Sequence, residues 1–211
     1  MRKLLYVPTI HNKPSLVDGL EPGEIDPECE GIARIILNNF WDDVFEKFSD
    51  RRFDVVYFDG VTQGVCMSTA REFAEKDRSW AFVYSLMKKG TRLMRTENQF
   101  LFHIYILEQC YVQRFKEKLP VKTLMETLSS FGRECFDPEG LAMLKKFCRR
   151  RKYFDGLAMR DSFVARTVEA SLRDRERGLL LMGGDHDPLK YINGQIEIEK
   201  YISPHIEQLL D

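Results

Sequence analysis

Residues 178–188 read GLLLMGGDHDP. An uncharged apolar run stops at two glycines, and a histidine then sits between two aspartates. The run predicts a buried strand over Leu179–Met182, and its lack of alternation fits a sheet covered on both faces. Two other segments share the pattern, Lys3–Val7 and Phe53–Phe58. Each is a short stretch of Leu, Val or aromatic residues bounded by polar residues or glycine. Three such strands set among helical patterns predict an α/β protein, a three-layer α/β core with a mainly parallel sheet.

The rest of the chain reads as helix. Asp26-Pro27-Glu28 is a start signal: a capping carboxylate, proline at the first helical position and an acid in the first turn. Ile32, Ile36, Phe40, Val44 and Phe48 then recur every four residues and define one core-facing stripe. Helical patterns follow at about 68–89, closing at Gly90, and at about 96–118, closing before Pro120. Shorter ones cover roughly 121–131 and 138–150, the second capped by Asp137. A long helix is expected from about 157 to Arg177 and a last one from about 188 to 209. The order is β-α-β, a block of helices, then α-β-α. Residues 1–211 therefore read as a single α/β domain with a helical insertion at roughly 68–150. The segment after Gly60 and the region 190–200 are the places open to further strands.

Composition narrows the function classes. Hydrophobic residues make up 44% of the 211 and charged residues 31%, a globular mix with ample core. Basic residues number 32 against 33 acidic ones, so no global field attracts a nucleic acid. Lys145-Lys146 and Arg149–Lys152 read as a solvated helix face. Five cysteines without a C-x-x-C or metal spacing point to a reduced, cytoplasmic protein. The first residues are too polar after a brief apolar stretch for a signal peptide, and no run approaches the ~20 apolar residues of a membrane span. Neither membrane nor nucleic acid is an expected partner.

Chemistry concentrates at the strand ends. The first strand runs into His11, the second into Asp59-Gly60, the third into Gly183-Gly184-Asp185-His186-Asp187. In open parallel sheets ligands bind beyond the carboxyl ends of strands, which would bring His11, Asp59 and His186 to one crevice. Gly183 and Gly184 allow close backbone approach, and Asp185 or Asp187 could orient the His186 imidazole. Two imidazoles (His11, His186) with Asp59 or Asp187 suit Mn²⁺, Co²⁺ or Zn²⁺, and such an ion would carry an activated water. Arg160 lies on the core stripe of Phe163, Val164, Val168 and Leu172, where a guanidinium needs a partner. Asp161 or Asp59 is the expected carboxylate; alternatively Arg160 steadies an oxyanion. Glu97 and Glu108 are weaker candidates, read as solvent-facing and partner-facing, and His103 and His205 are read as structural.

These features resemble the TraB/PrgY–Tiki group of the superfamily that holds erythromycin esterases and ChaN-like haem-binding proteins. The likeness lies in their order: a strand and His11, a strand and an acid, an Arg-bearing helix at Met159-Arg160-Asp161, then a strand and Gly183-Gly184-Asp185-His186. Pro8 stands where that pattern has glycine, and Asp59 where glutamate is common. The resemblance implies two histidine-bearing strand ends meeting at a pseudo-symmetric site. It also implies hydrolysis, metal-dependent for peptides in one branch and metal-free with a histidine base for esters in another.

The expected function is thus a hydrolase of ester or peptide bonds, with His186, His11 and Arg160 as catalytic groups. A divalent metal is an expected but not required cofactor, and a small molecule or peptide the substrate. A non-catalytic module binding a metal, anion or haem is the alternative. The mid-chain aromatics Trp80, Phe82, Tyr84, Phe100, Phe102 and Tyr105 leave a homo-oligomer or a helical interaction protein open.

Overall fold

The computed structural model describes residues 1–9, 27–131 and 136–206. Five strands form one sheet: β1 (Arg2–Thr9), β2 (Val55–Phe58), β3 (Arg92–Met94), β4 (Arg177–Gly183) and β5 (Ile196–Lys200). Their order is β3-β2-β4-β1-β5 and every pairing is parallel. The α/β class, the parallel sheet and the three layers expected from the sequence are all present.

Both faces of the sheet are covered, which explains the unbroken apolar runs. Odd and even positions of β1 diverge as a strand requires. Leu5 and Val7 join Val56, Leu179 and Leu181 under α1 (Pro27–Phe48) and α3 (Arg78–Lys88), against Phe40, Trp41, Val44 and Phe82. Leu4 and Tyr6 join Tyr57, Leu180 and Met182 on the other face, under Val164, Val168 and Leu172 of the α7 region (α7 is Gly156–Ser171). A third core belongs to α4 (Gln99–Phe115), α5 (Val121–Ser129) and α6 (Pro138–Cys148), which enclose Leu101, Ile104, Leu124 and Leu144 and meet Met159 and Phe163 of α7.

Several elements differ from expectation. The pattern at 68–89 is two helices, α2 (Met67–Ala74) and α3, because Asp77 accepts a bond from Trp80 N and restarts the helix. Residues 67–94 also return to the sheet as β3, so the purely helical block begins only at Gln99. The helix expected at 188–209 is instead a 3₁₀ turn (Pro188–Tyr191) and then β5. In α1 the stripe is buried at Phe40, Val44 and Phe48, whereas Ile32 is 52% exposed. No helix among the described residues is long and apolar enough to cross a membrane.

The helices that follow β1 and β2 in sequence, α1 and α3, pack on one face, whereas Leu189 and Ile192, which follow β4, pack on the α7 face. The loops around β4 therefore diverge at its carboxyl end. That is where a sheet of this kind opens a crevice.

Candidate active site

His186 lies there. The turn after β4 is closed by His186 N donating to Gly183 O at 3.0 Å. The hydroxyl of Tyr6, from the neighbouring strand, donates to His186 O at 2.9 Å. The imidazole is buried, at 3% side-chain exposure. Its Nδ1 meets Asp161 Oδ1 at 2.5 Å, and the other Asp161 oxygen accepts from Asp187 N at 2.9 Å. Asp161 thus fixes both the ring and the loop that carries it. A carboxylate on Nδ1 sets the proton there and leaves Nε2 as the accepting nitrogen.

Nε2 faces Asp59, with 4.0 Å to Oδ2. Asp59 follows β2; its backbone N donates to Leu181 O at 2.9 Å, and its Oδ2 accepts from Gly183 N at 3.1 Å. Gly60, at φ 78°, then turns the chain away, a conformation glycine adopts without strain. Asp59 is therefore stitched to the very strand that delivers His186.

Arg160, one residue before Asp161, reaches the same cluster and is 8% exposed. Its Nε and Nη2 donate to Glu97 Oε2 at 2.8 and 2.5 Å, and Nη2 lies 4.0 Å from Asp59 Oδ1. The Nη1 group takes no part in that pair. Tyr105 and Phe102 of α4 flank the guanidinium, with ring centres 4.9 and 5.4 Å from its carbon. Burial pushes the Glu97 carboxyl above the ordinary carboxylate range, and Arg160 draws it back only in part. Burial and the carboxylates of Asp187, Asp161 and Asp59 push the Tyr6 phenol up as well.

The segment after β3 explains how Glu97 arrives. Thr96 N and Glu97 N both donate to Val61 O, at 2.9 and 3.0 Å, and the Thr96 hydroxyl donates to Phe58 O. Asn98 then caps α4 by accepting from Leu101 N at 3.0 Å. The ends of β2, β3 and β4 and one face of α7 are thereby locked around a single cluster: Asp59, Glu97, Arg160, Asp161 and His186.

Three expectations need correction. Glu97 is not solvent-facing but 3% exposed, and it is the principal partner of Arg160 in place of Asp161 or Asp59. Glu108 is also buried and accepts from Gly156 N at 2.8 Å, capping α7 from α4. The imidazole is oriented by Asp161, not by its sequence neighbours. Asp185 is exposed, while the half-exposed Asp187 carboxylate pairs with Lys190 at 2.9 Å. Of the four residues read as metal ligands, His186 and Asp59 face each other, Asp187 is turned to Lys190, and His11 lies outside the described residues. Among the described residues, no three His, Cys, Asp or Glu side chains are placed to hold a metal. His103 is exposed on α4, and His205 lies away from the site with its N bonded to Ser203.

A signal for Glu97 was present in the sequence. A core-facing Arg160 demands a carboxylate, and Glu97 stands at a helix start next to Asn98, where a strand exit could present it.

No family model, curated protein or solved structure matches this chain. Its chemistry is therefore read from the cluster itself.

Proposed function

We propose that this protein is a hydrolase of ester or peptide bonds, with His186 as general base oriented by Asp161. The observation that carries the reading is the 2.5 Å contact between His186 Nδ1 and Asp161, with Nε2 turned toward Asp59 at 4.0 Å. That separation is too long for a hydrogen bond and suits two groups sharing one water, each about 2.8 Å away. The water oxygen attacks the acyl carbon as its proton passes to Nε2; the same proton then goes to the leaving alcohol or amine. Arg160, whose Nη2 lies 4.0 Å from Asp59 Oδ1, supplies the positive charge nearest that water and stabilises the charge that develops on the carbonyl oxygen. The resemblance of the strand-end motifs to the TraB/PrgY–Tiki group supports the same reaction class. A divalent ion on His186, Asp59 and His11 would deliver the water in activated form.

The test is turnover of ester, peptide and phosphoester panels, with chelator and then with added Mn²⁺, Co²⁺ or Zn²⁺. Ester or peptide turnover that drops by roughly a hundredfold or more in His186→Gln supports the reading. Loss with chelator and recovery with metal assigns the water to an ion; indifference assigns it to His186 alone. Absence of turnover under every condition rejects it. A second reading has its own observation: Arg160 is already paired with Glu97 and buried, so the cluster is held in place by its own charges. A non-catalytic module of that kind would bind a ligand without converting it, and His186→Gln would abolish binding alone.

A further inference from the structure

The opposite edge of the sheet carries a charge arrangement that the hydrolytic reading does not use. At the amino ends of β1, β2 and β4 a cavity of about 220 Å³ is lined by Lys3, Arg51, Arg52, Arg177, Glu197 and Glu199. A second of about 300 Å³ is lined in part by Arg51, Arg52 and Phe53, which it shares with the first, and adds Lys89 and Asp50. Taken together, five cations (Lys3, Arg51, Arg52, Lys89, Arg177) face three carboxylates (Asp50, Glu197, Glu199). The surplus is two positive charges among the lining residues, or one when the Asp54 carboxylate beside Arg177 is counted, in a chain whose net charge is −1.

The pairing shows which cations are left over. Lys3 meets Glu197 at 3.2 Å, Arg51 lies 3.9 Å from Glu199, and Lys89 lies 4.0 Å from Asp50. Both Arg52 and Arg177 are exposed, and among the described residues neither guanidinium has an ion-pair partner. The backbone is nevertheless fixed on both sides of the cavity: Arg177 N donates to Asp54 Oδ2 at 2.8 Å, and Asp54 N to Arg177 O at 2.9 Å. Two unpaired planar donor forks on one concave, hydrogen-bonded frame fit a multiply charged oxyanion far better than a cation or a neutral ligand.

We infer that this amino edge is a second binding site, for a small oligophosphate-bearing anion held by Arg52 and Arg177. β4 is seven residues long, so this edge stands about 20 Å from His186 and can be assayed apart from any activity there. The shared chemistry is a chain of phosphate groups, whether bare or carried on a nucleoside.

The experiment is calorimetric titration of the full chain with tripolyphosphate, and in a parallel arm with a nucleoside triphosphate, at low and at physiological salt. One equivalent should bind saturably and more weakly as salt rises. Arg52→Gln combined with Arg177→Gln should weaken binding by roughly tenfold or more. Lys145→Gln combined with Lys146→Gln removes the same charge from α6 and should leave affinity unchanged. All four side chains are on the surface, and circular dichroism checks that each variant is folded. Tighter binding of the nucleoside form identifies an organic phosphate; equal binding identifies the bare chain. Absence of saturable binding, or equal weakening by the two double variants, overturns the assignment.

Discussion

Arg160 and Glu97 show what a buried charge pair demands of its neighbourhood. Neither side chain has water to fall back on, so each is stable only while the other is ionised and in place. Replacing Glu97 by Leu strands a buried guanidinium and should lower unfolding free energy by about 3–5 kcal/mol in urea titrations. Arg160→Met added to Glu97→Leu should restore most of that loss, because an apolar pair needs no partner. If the double variant is as unstable as the single one, the pair is not what holds these positions. Asp161 differs because it serves two donors, the His186 ring and Asp187 N. Asp161→Ala leaves both unpaired and should destabilise by about 2–3 kcal/mol, read from the same titration. Asp161→Asn keeps one acceptor but can turn its amide toward Nδ1, which favours the other tautomer. It should therefore lose turnover well beyond its loss of stability. At this scale the sequence was legible for Asp59, Arg160 and His186, whose strand-end and stripe positions are local facts. It was not legible for the pairing of Arg160 with Glu97, which depends on β3 lying beside β2, a non-local arrangement that no periodicity encodes.

At the scale of elements, the clasp between α4 and α7 decides where the helix that carries Arg160 and Asp161 starts. Gly156 is the first residue of α7, and Glu108 reaches across from α4 to accept its N–H. A methyl group at Gly156 would lie 2.6 Å from Glu108 Oε2 and 2.9 Å from the Tyr105 ring. Gly156→Ala should thus push α4 and α7 apart and destabilise by about 1–3 kcal/mol in thermal melts. Burial raises the Glu108 carboxyl above its ordinary 4.5, more than the Gly156 bond lowers it. The folded chain then holds the Glu108 proton to higher pH than the unfolded chain does. Between the two values the folded state binds more protons, so this residue's contribution to stability falls as pH rises through that window. Glu108→Gln keeps an acceptor for Gly156 and has no proton to lose. It should gain stability relative to wild type as pH rises above about 4.5, and a pH-independent difference would contradict the raised pKa. The helices of this clasp were legible because Asp137 and the long apolar stripes mark them. β3 and β5 were not. β3 is three half-buried residues, too short to show a period. Ile196-Glu197-Ile198-Glu199 does alternate, but the Asp187-Pro188 start signal before it pointed to a helix, and only Ile196 is buried.

For the molecule as a whole, β4 is the common spine. It pairs with β1 on one side and β2 on the other, and Leu179–Met182 are at most 1% exposed. One of its ends delivers His186 and the other presents Arg177. The parallel order that makes this possible could be anticipated as a class from three apolar runs, since such runs need cover on both faces. The order β3-β2-β4-β1-β5 could not, because it is set by which crossover packs on which face. The helical block is joined to this spine chiefly through α7 and holds a separate core, with Phe102 and Tyr105 lying over Arg160. Under the proposed hydrolytic reading, a guanidinium and an imidazole this deeply buried would be reached by loosening the packing of α4 on α7, whose rings cover Arg160. Openings of that kind need less free energy than unfolding the sheet, since they expose one core and not three. Native-state hydrogen exchange should therefore rank the amides. Leu179–Met182 should exchange only at the global unfolding free energy, and Leu101 and Ile104 of α4 at a distinctly lower one. Glu197–Lys200, on an edge strand paired with β1 alone, should also exchange below β4. If α4 and β4 report the same opening energy, the helical block does not move independently of the sheet.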